Sequence, residues 1–182
     1  MNRADRRRLA RKVRRVAAGT DTLTRSERHQ LNAVLREASA TLPVHIRDQA
    51  DAAVEQIAAG TRAIIDEFGF TPAHTRSPKL TRPIDRVITR MLTGDCRTCR
   101  HVTATAPQPL SVCLWDDPPV FRCRRCIPDD AALTDEEDRT CDLCRVDTAG
   151  DGIFPAFTTV GAITIAYGAC HDCHDEIEEA AA

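Results

Sequence analysis

Aromatic side chains are scarce in this 182-residue chain, with five Phe, one Tyr and one Trp. A core must therefore rely on Leu, Val, Ile and Ala, and a single large one is not expected. Lysine is scarcer still: among 25 basic residues only Lys12 and Lys79 are not arginine. No apolar run reaches the roughly 18 residues of a membrane helix, so no membrane span or membrane partner is expected. The opening Met-Asn-Arg-Ala-Asp-Arg-Arg-Arg lacks the apolar stretch of a secretory signal, which predicts a cytoplasmic rather than an exported protein. With 42% hydrophobic and 29% charged residues the composition is that of a globular chain, excluding collagen-like and wholly disordered classes. Ser-His-Asp spacing, a phosphate-binding glycine loop and His-Glu-x-x-His are all missing, so the usual signatures of an enzyme are absent.

What the chain has is charge of opposite sign at its two ends. The formal net charge is −2, yet residues 1–20 hold Arg3, Arg6, Arg7, Arg8, Arg11, Lys12, Arg14 and Arg15 against Asp5 alone. Residues 127–138 hold Asp129, Asp130, Asp135, Glu136, Glu137 and Asp138 with no base, and Asp172, Asp175, Glu176, Glu178 and Glu179 follow near the end. The arginine excess has two readings. One is bidentate contact with phosphate. The other is a genome-wide compositional bias, which fits its spread along the whole chain.

The first half reads as helical. Residues 1–19 form a basic arm whose thin apolar stripe, Leu9, Val13, Val16 and Ala17, predicts folding only against a partner. Residues 20–69 read as a helical hairpin. Thr24 and Glu27 have capping-box spacing, and Leu31, Val34, Leu35, Ala38 and Leu42 recur at helical intervals up to Pro43. A second stripe then runs from Ile46 to Phe68 and closes at Gly69. Residues 70–80, with Pro72 and Pro78, read as a linker, and residues 81–94 as a short amphipathic helix ending before Gly94. His29, His45 and His74 have no partner motif and read as surface residues.

The chemistry lies in the second half. Eight of nine Cys fall into four Cys-x-x-Cys pairs: Cys96/Cys99, Cys123/Cys126, Cys141/Cys144 and Cys170/Cys173. A two-residue gap lets both thiolates of one tight turn reach a metal at about 2.3 Å, and two such turns complete a tetrahedral set. The pattern predicts two Zn²⁺ per chain, in a basic first finger (95–128) and an acidic second finger (139–182). Sequential pairing of the turns is the first choice; cross-braced pairing, or a site made of the two middle pairs, remains open. Iron–sulfur ligation suits four thiolates as well. Disulfides need an oxidising compartment, and covalent haem on Cys170-x-x-Cys173-His174 needs export. His101 can replace a Cys of the first set, as His171 and His174 can in the second, but the paired Cys take precedence. Cys113 reads as a buried small side chain.

Around the last two pairs the order is knuckle, hairpin, strand, knuckle, helix, with a turn near Gly161 and acids opening the final helix. Residues 141–179 thus resemble the treble-clef and zinc-ribbon group, including the zinc finger of DksA/TraR-type transcription regulators. The resemblance implies zinc and an approximate fold. The chain departs from that group in its longer insert, its additional finger and the apolar Leu42-Pro43-Val44 where an acidic hairpin tip belongs. The expected fold class is a small α+β zinc protein, a helical half followed by two treble-clef or ribbon-like fingers.

Four-thiolate sites leave no position for water, so a non-enzymatic protein is expected. The arm and the first finger, through Arg97, Arg100, Arg124 and Arg125, are the candidate contacts to nucleic acid or a nucleoprotein assembly, as a regulator or adaptor. The acidic second finger is suited to a protein partner. In the competing expectation the chain is purely a protein-interaction or structural zinc module, and the basic arm docks on an acidic partner.

Overall fold

A computed structural model describes residues 2–68, 77–103, 105–127, 139–149 and 152–179. Most of the linker expected at 70–80, Gly69, His74 and the acidic run from Asp129 to Asp138 lie outside the described residues. Among the described residues five helices, α1 (Arg3–Ala17), α2 (Arg25–Ala40), α3 (Val44–Phe68), α4 (Pro78–Thr93) and α5 (His171–Glu179), accompany five strands, β1 (Arg97–Thr98), β2 (Leu110–Cys113), β3 (Val120–Cys123), β4 (Phe154–Val160) and β5 (Ile163–Ala169). The protein is mixed α/β, with its helices concentrated in the first half.

The strands form one sheet in the order β1-β3-β2-β5-β4. Hairpin β2–β3 belongs to the first finger and hairpin β4–β5 to the second. Parallel pairing of β2 with β5, from Leu110 opposite Ile163 to Cys113 opposite Ala166, joins them. The two fingers therefore share a sheet instead of sitting as separate beads. Gly161, at φ +57°, makes the β4–β5 turn in a conformation that favours glycine.

Helix α4 covers this sheet. Leu80, Ile84 and Val87 pack with Val112, Leu114, Phe121, Ile165 and Tyr167 in one core cluster that also contains Cys141 and Cys173. The helix starts earlier than its apolar pattern suggests because Ser77 caps it, accepting from the Lys79 N–H at 3.2 Å, and Pro78 takes the first position.

Two expectations for the helical half are corrected. The arm does not wait for a partner: α1 packs on α4 and buries Leu9, Val13, Val16 and Ala17. Burying each of the three larger side chains contributes about 1.5–3 kcal/mol, which offsets the reluctance of an isolated helix of this length to form. Nor do α2 and α3 make an extensively packed hairpin; among the described residues contact between them is at most sparse, and α2 buries none of its residues. Polar contacts fix α2 instead. Arg28 donates to Asp85 of α4 at 2.7 Å, Glu37 accepts from Arg6 at 2.8 Å, and Glu27 lies 3.6 Å from Lys12. The Thr24/Glu27 capping box forms as the sequence indicates.

Candidate metal centres

Two clusters bring four metal-ligating atoms each to within 4.8 Å of one another: Cys99, His101, Cys123 and Cys126, and Cys141, Cys144, Cys170 and Cys173. The ligands are gathered sequentially, one cluster in each finger.

In the first cluster His101 stands where Cys96 was expected. Cys96 and Cys99 flank β1, which pairs in parallel with β3. Backbone bonds from Arg97 N–H to Pro119 O (2.9 Å) and Cys99 N–H to Phe121 O (3.0 Å) hold that segment extended. Three residues of extended chain separate two side chains by about 10 Å, too far for one metal. The chain turns only after Cys99, where Val102 N–H bonds Cys99 O at 3.0 Å, so Cys99 and His101 are the pair a tight turn aims together. Gln108 donates to the His101 carbonyl at 2.8 Å and fixes that turn. Cys96 packs at the edge of the core instead, and burial pushes its thiol pKa up. His101 Nδ1 lies 3.3 Å from Cys126 Sγ and 3.8 Å from Cys123 Sγ. These values bracket the edge of about 3.6 Å between a nitrogen and a sulfur ligand in a tetrahedral set.

The second cluster comprises the expected four cysteines, with Cys141 and Cys173 buried. Cys144 and Cys170 sulfurs are 3.7 Å apart, against about 3.8 Å for the edge of a tetrahedral four-thiolate site. The two clusters share a device. Cys123 N–H donates to Cys99 Sγ and Cys170 N–H to Cys141 Sγ, both at 3.3 Å, so the second knuckle of each finger solvates the leading sulfur of the first. Burial alone would raise the Cys141 thiol, but N–H donors from Cys170, Cys144 and Leu143 bring it down to about 7. Cys99 is lowered likewise, its burial outweighed by the N–H groups of Cys123 and His101. A thiol predisposed to ionise is predisposed to bind metal.

Around the second cluster the chain is tightly interlocked. Asp142 N–H donates to Gly168 O at 2.9 Å, and Gly168 N–H to Asp142 Oδ2 at 2.6 Å. Position 168 favours glycine, because a Cβ there would lie 2.4 Å from Ile153 Cγ2 and force that side chain to shift. Lys79 donates to Cys173 Sγ at 3.6 Å and pairs with Glu176, tying α4 to the last knuckle. Lysine at 79 carries no sequence signal for this role, since it precedes Cys173 by 94 positions. His171 and His174 stay outside the metal set and meet Asp175 on α5. Cys113 also lies outside both clusters, and burial pushes its thiol up to about 12.

The candidate phosphate contacts divide into two groups. On α1, Arg6 pairs with Glu37, Lys12 with Asp21 and Glu27, and Arg15 with Asp21. Arg3, Arg7, Arg8, Arg11 and Arg14 are exposed, with no ion pair among the described residues. Arg97, Arg100, Arg124 and Arg125, around the first cluster, are exposed as well.

These features define a small α/β protein with two cysteine-rich clusters that can hold metal ions. No helix among the described residues is long and apolar enough to cross a membrane. Compared with known proteins, the chain matches no family, no curated protein and no solved structure.

Proposed function

We propose that this is a non-enzymatic zinc protein that binds nucleic acid through its phosphates. Zinc suits both ligand sets, since Cys₃His and Cys₄ at tetrahedral spacing are closed structural sites of the kind that metal fills. The second finger, with its knuckle, hairpin and helix in that order, fits a treble-clef-like arrangement and the resemblance to DksA/TraR-type fingers.

The observation that carries the nucleic-acid reading is the outer face of α1. Arg3, Arg7, Arg11 and Arg14 follow one another at about one-turn intervals, opposite the stripe that packs on α4. Like charges so spaced repel by a few tenths of a kcal/mol per pair, and a polyanion turns that repulsion into attraction. Fluorescence anisotropy of the zinc-loaded chain on duplex DNA and single-stranded RNA, over a range of salt, tests it. The five α1 arginines that have no ion pair among the described residues would give a log–log slope of about −4 to −5 on duplex DNA. Converting Arg3, Arg7, Arg11 and Arg14 to Gln should flatten the slope without changing the zinc content. Little sequence preference is expected, because backbone contacts do not read bases. Absence of binding at low salt refutes this reading.

A second reading has its own support. Leu35, Leu42, Val44 and Val54 of the α2–α3 region are exposed. Such side chains, with the acidic α5, suit a protein-interaction module acting as an adaptor. That reading takes first place if nucleic acid is not bound.

A further inference from the structure

Between α4, the β2–β3 connection and the Cys141/Cys144 turn lies an open groove of about 410 Å³, lined by cationic and acidic side chains over apolar Val87, Leu114 and Leu143. Its three carboxylates are already engaged. Asp116 accepts from Arg122 at 2.5 Å and 3.2 Å, Asp117 accepts from Arg90 at 2.5 Å, and Asp142 accepts from Gly168 N–H at 2.6 Å. Arg82 and Arg86, one turn apart on α4, are exposed and have no ion pair among the described residues. Opposite them, Arg145 reaches Asp142 only at 3.7 Å.

Arg145 supplies the independent observation. It follows the Cys141/Cys144 knuckle with φ +62°, a left-handed conformation that favours glycine. A glycine would make this turn without strain; the arginine adds a guanidinium to the groove. Asp117 reports the resulting field: its carboxyl is lowered chiefly by the Arg90 hydrogen bond and further by the charges of Arg86 and Arg145.

We propose that this groove binds the phosphate groups of an anionic ligand, held by Arg82, Arg86 and Arg145. Guanidinium forks offer paired donors that match phosphate oxygens, and two on one helix face, about 5–6 Å apart at their Cβ atoms, suit neighbouring anionic groups. The phosphates come either from a free phosphorylated small molecule or from a nucleic-acid strand. The site does not depend on the α1 contact.

The test is calorimetry on the full zinc-loaded chain with inorganic pyrophosphate, ADP and a short single-stranded DNA oligonucleotide. Pyrophosphate should bind, and the double variant Arg82→Gln, Arg86→Gln should weaken it roughly tenfold or more at unchanged zinc content. Arg145→Gly should weaken binding while raising the melting temperature, a combination that a purely structural role for Arg145 does not give. The Gln variant of Arg3, Arg7, Arg11 and Arg14 should bind pyrophosphate like the parent. An oligonucleotide that displaces pyrophosphate assigns the site to a strand; ADP binding without such displacement assigns it to a small molecule. If nucleic acid is not bound but pyrophosphate is, the functional reading falls and the groove stands. No pyrophosphate binding at low salt, or undiminished binding in the Arg82/Arg86 variant, overturns the groove.

Discussion

His101 and Cys96 show how one side chain's place depends on where the backbone turns. Cys99 directly follows a short parallel strand, so the candidate ligand gathered beside it is the residue after the turn and not the one before the strand. Cys96→Ser is therefore expected to keep two metal ions per chain in native mass spectrometry, while His101→Ala should lose one. Loss of an ion in Cys96→Ser, with His101→Ala unaffected, would restore the Cys-x-x-Cys pair as the ligand set. Gly168 makes a second residue-scale case. Gly168→Ala drives a methyl into Ile153 beside the second cluster and should cost about 1–3 kcal/mol, read by denaturant unfolding of the metal-loaded chain.

Among the elements, α1 changes character most between sequence and structure. Its stripe of Leu9, Val13, Val16 and Ala17 is thin, but α4 offers a matching surface, and polar contacts to the 20–40 segment hold the helix in place. Asp21 is lowered from 3.8, chiefly by its hydrogen bond from Lys12, and Glu27 from 4.5, chiefly by the Thr24 N–H. A carboxylate whose folded pKa is depressed stabilises the fold above its ordinary value, and that support is lost as pH falls through the folded value. The α1–α2 contact should thus loosen in acid below those ordinary values of 3.8 and 4.5. Amide exchange in α1 and α2 measures this. Lys12→Met should shift the loosening toward higher pH, and an unchanged profile would show that Lys12 does not support the contact.

For the molecule as a whole, the consequence lies in the shared sheet. β2 and β5 pair across the two fingers, and Cys141 and Cys173 sit in the core that α4 covers. Metal binding to the second cluster is thereby linked to the packing of the first finger and α4, because binding energy in so small a core is folding energy. Cys173→Ser should speed amide exchange in β2 and β3 as well as in β4 and β5. Fragment 139–182, deprived of β2 and α4, should hold its metal more weakly than the full chain does in a chelator competition. Exchange confined to the second finger, together with undiminished affinity in the fragment, would show that the fingers are independent.

The sequence by itself determined the local features. Cys-x-x-Cys spacing marked the turns that carry the thiols, Gly161 marked the turn between β4 and β5, Thr24 and Glu27 started α2, and the acid-rich end supplied α5. Each of these depends on neighbours within a few positions, where spacing and geometry are the same thing. Tertiary structure decided what depends on distant partners. That α1 lies on α4, that α2 and α3 pack little against each other, and that β2 joins β5 all follow from which apolar surfaces and ion pairs meet across long stretches of chain. The exchange of Cys96 for His101 belongs with them. A short gap between ligands brings them together only where the chain turns, and pairing between β1 and β3 keeps the Cys96–Cys99 gap extended.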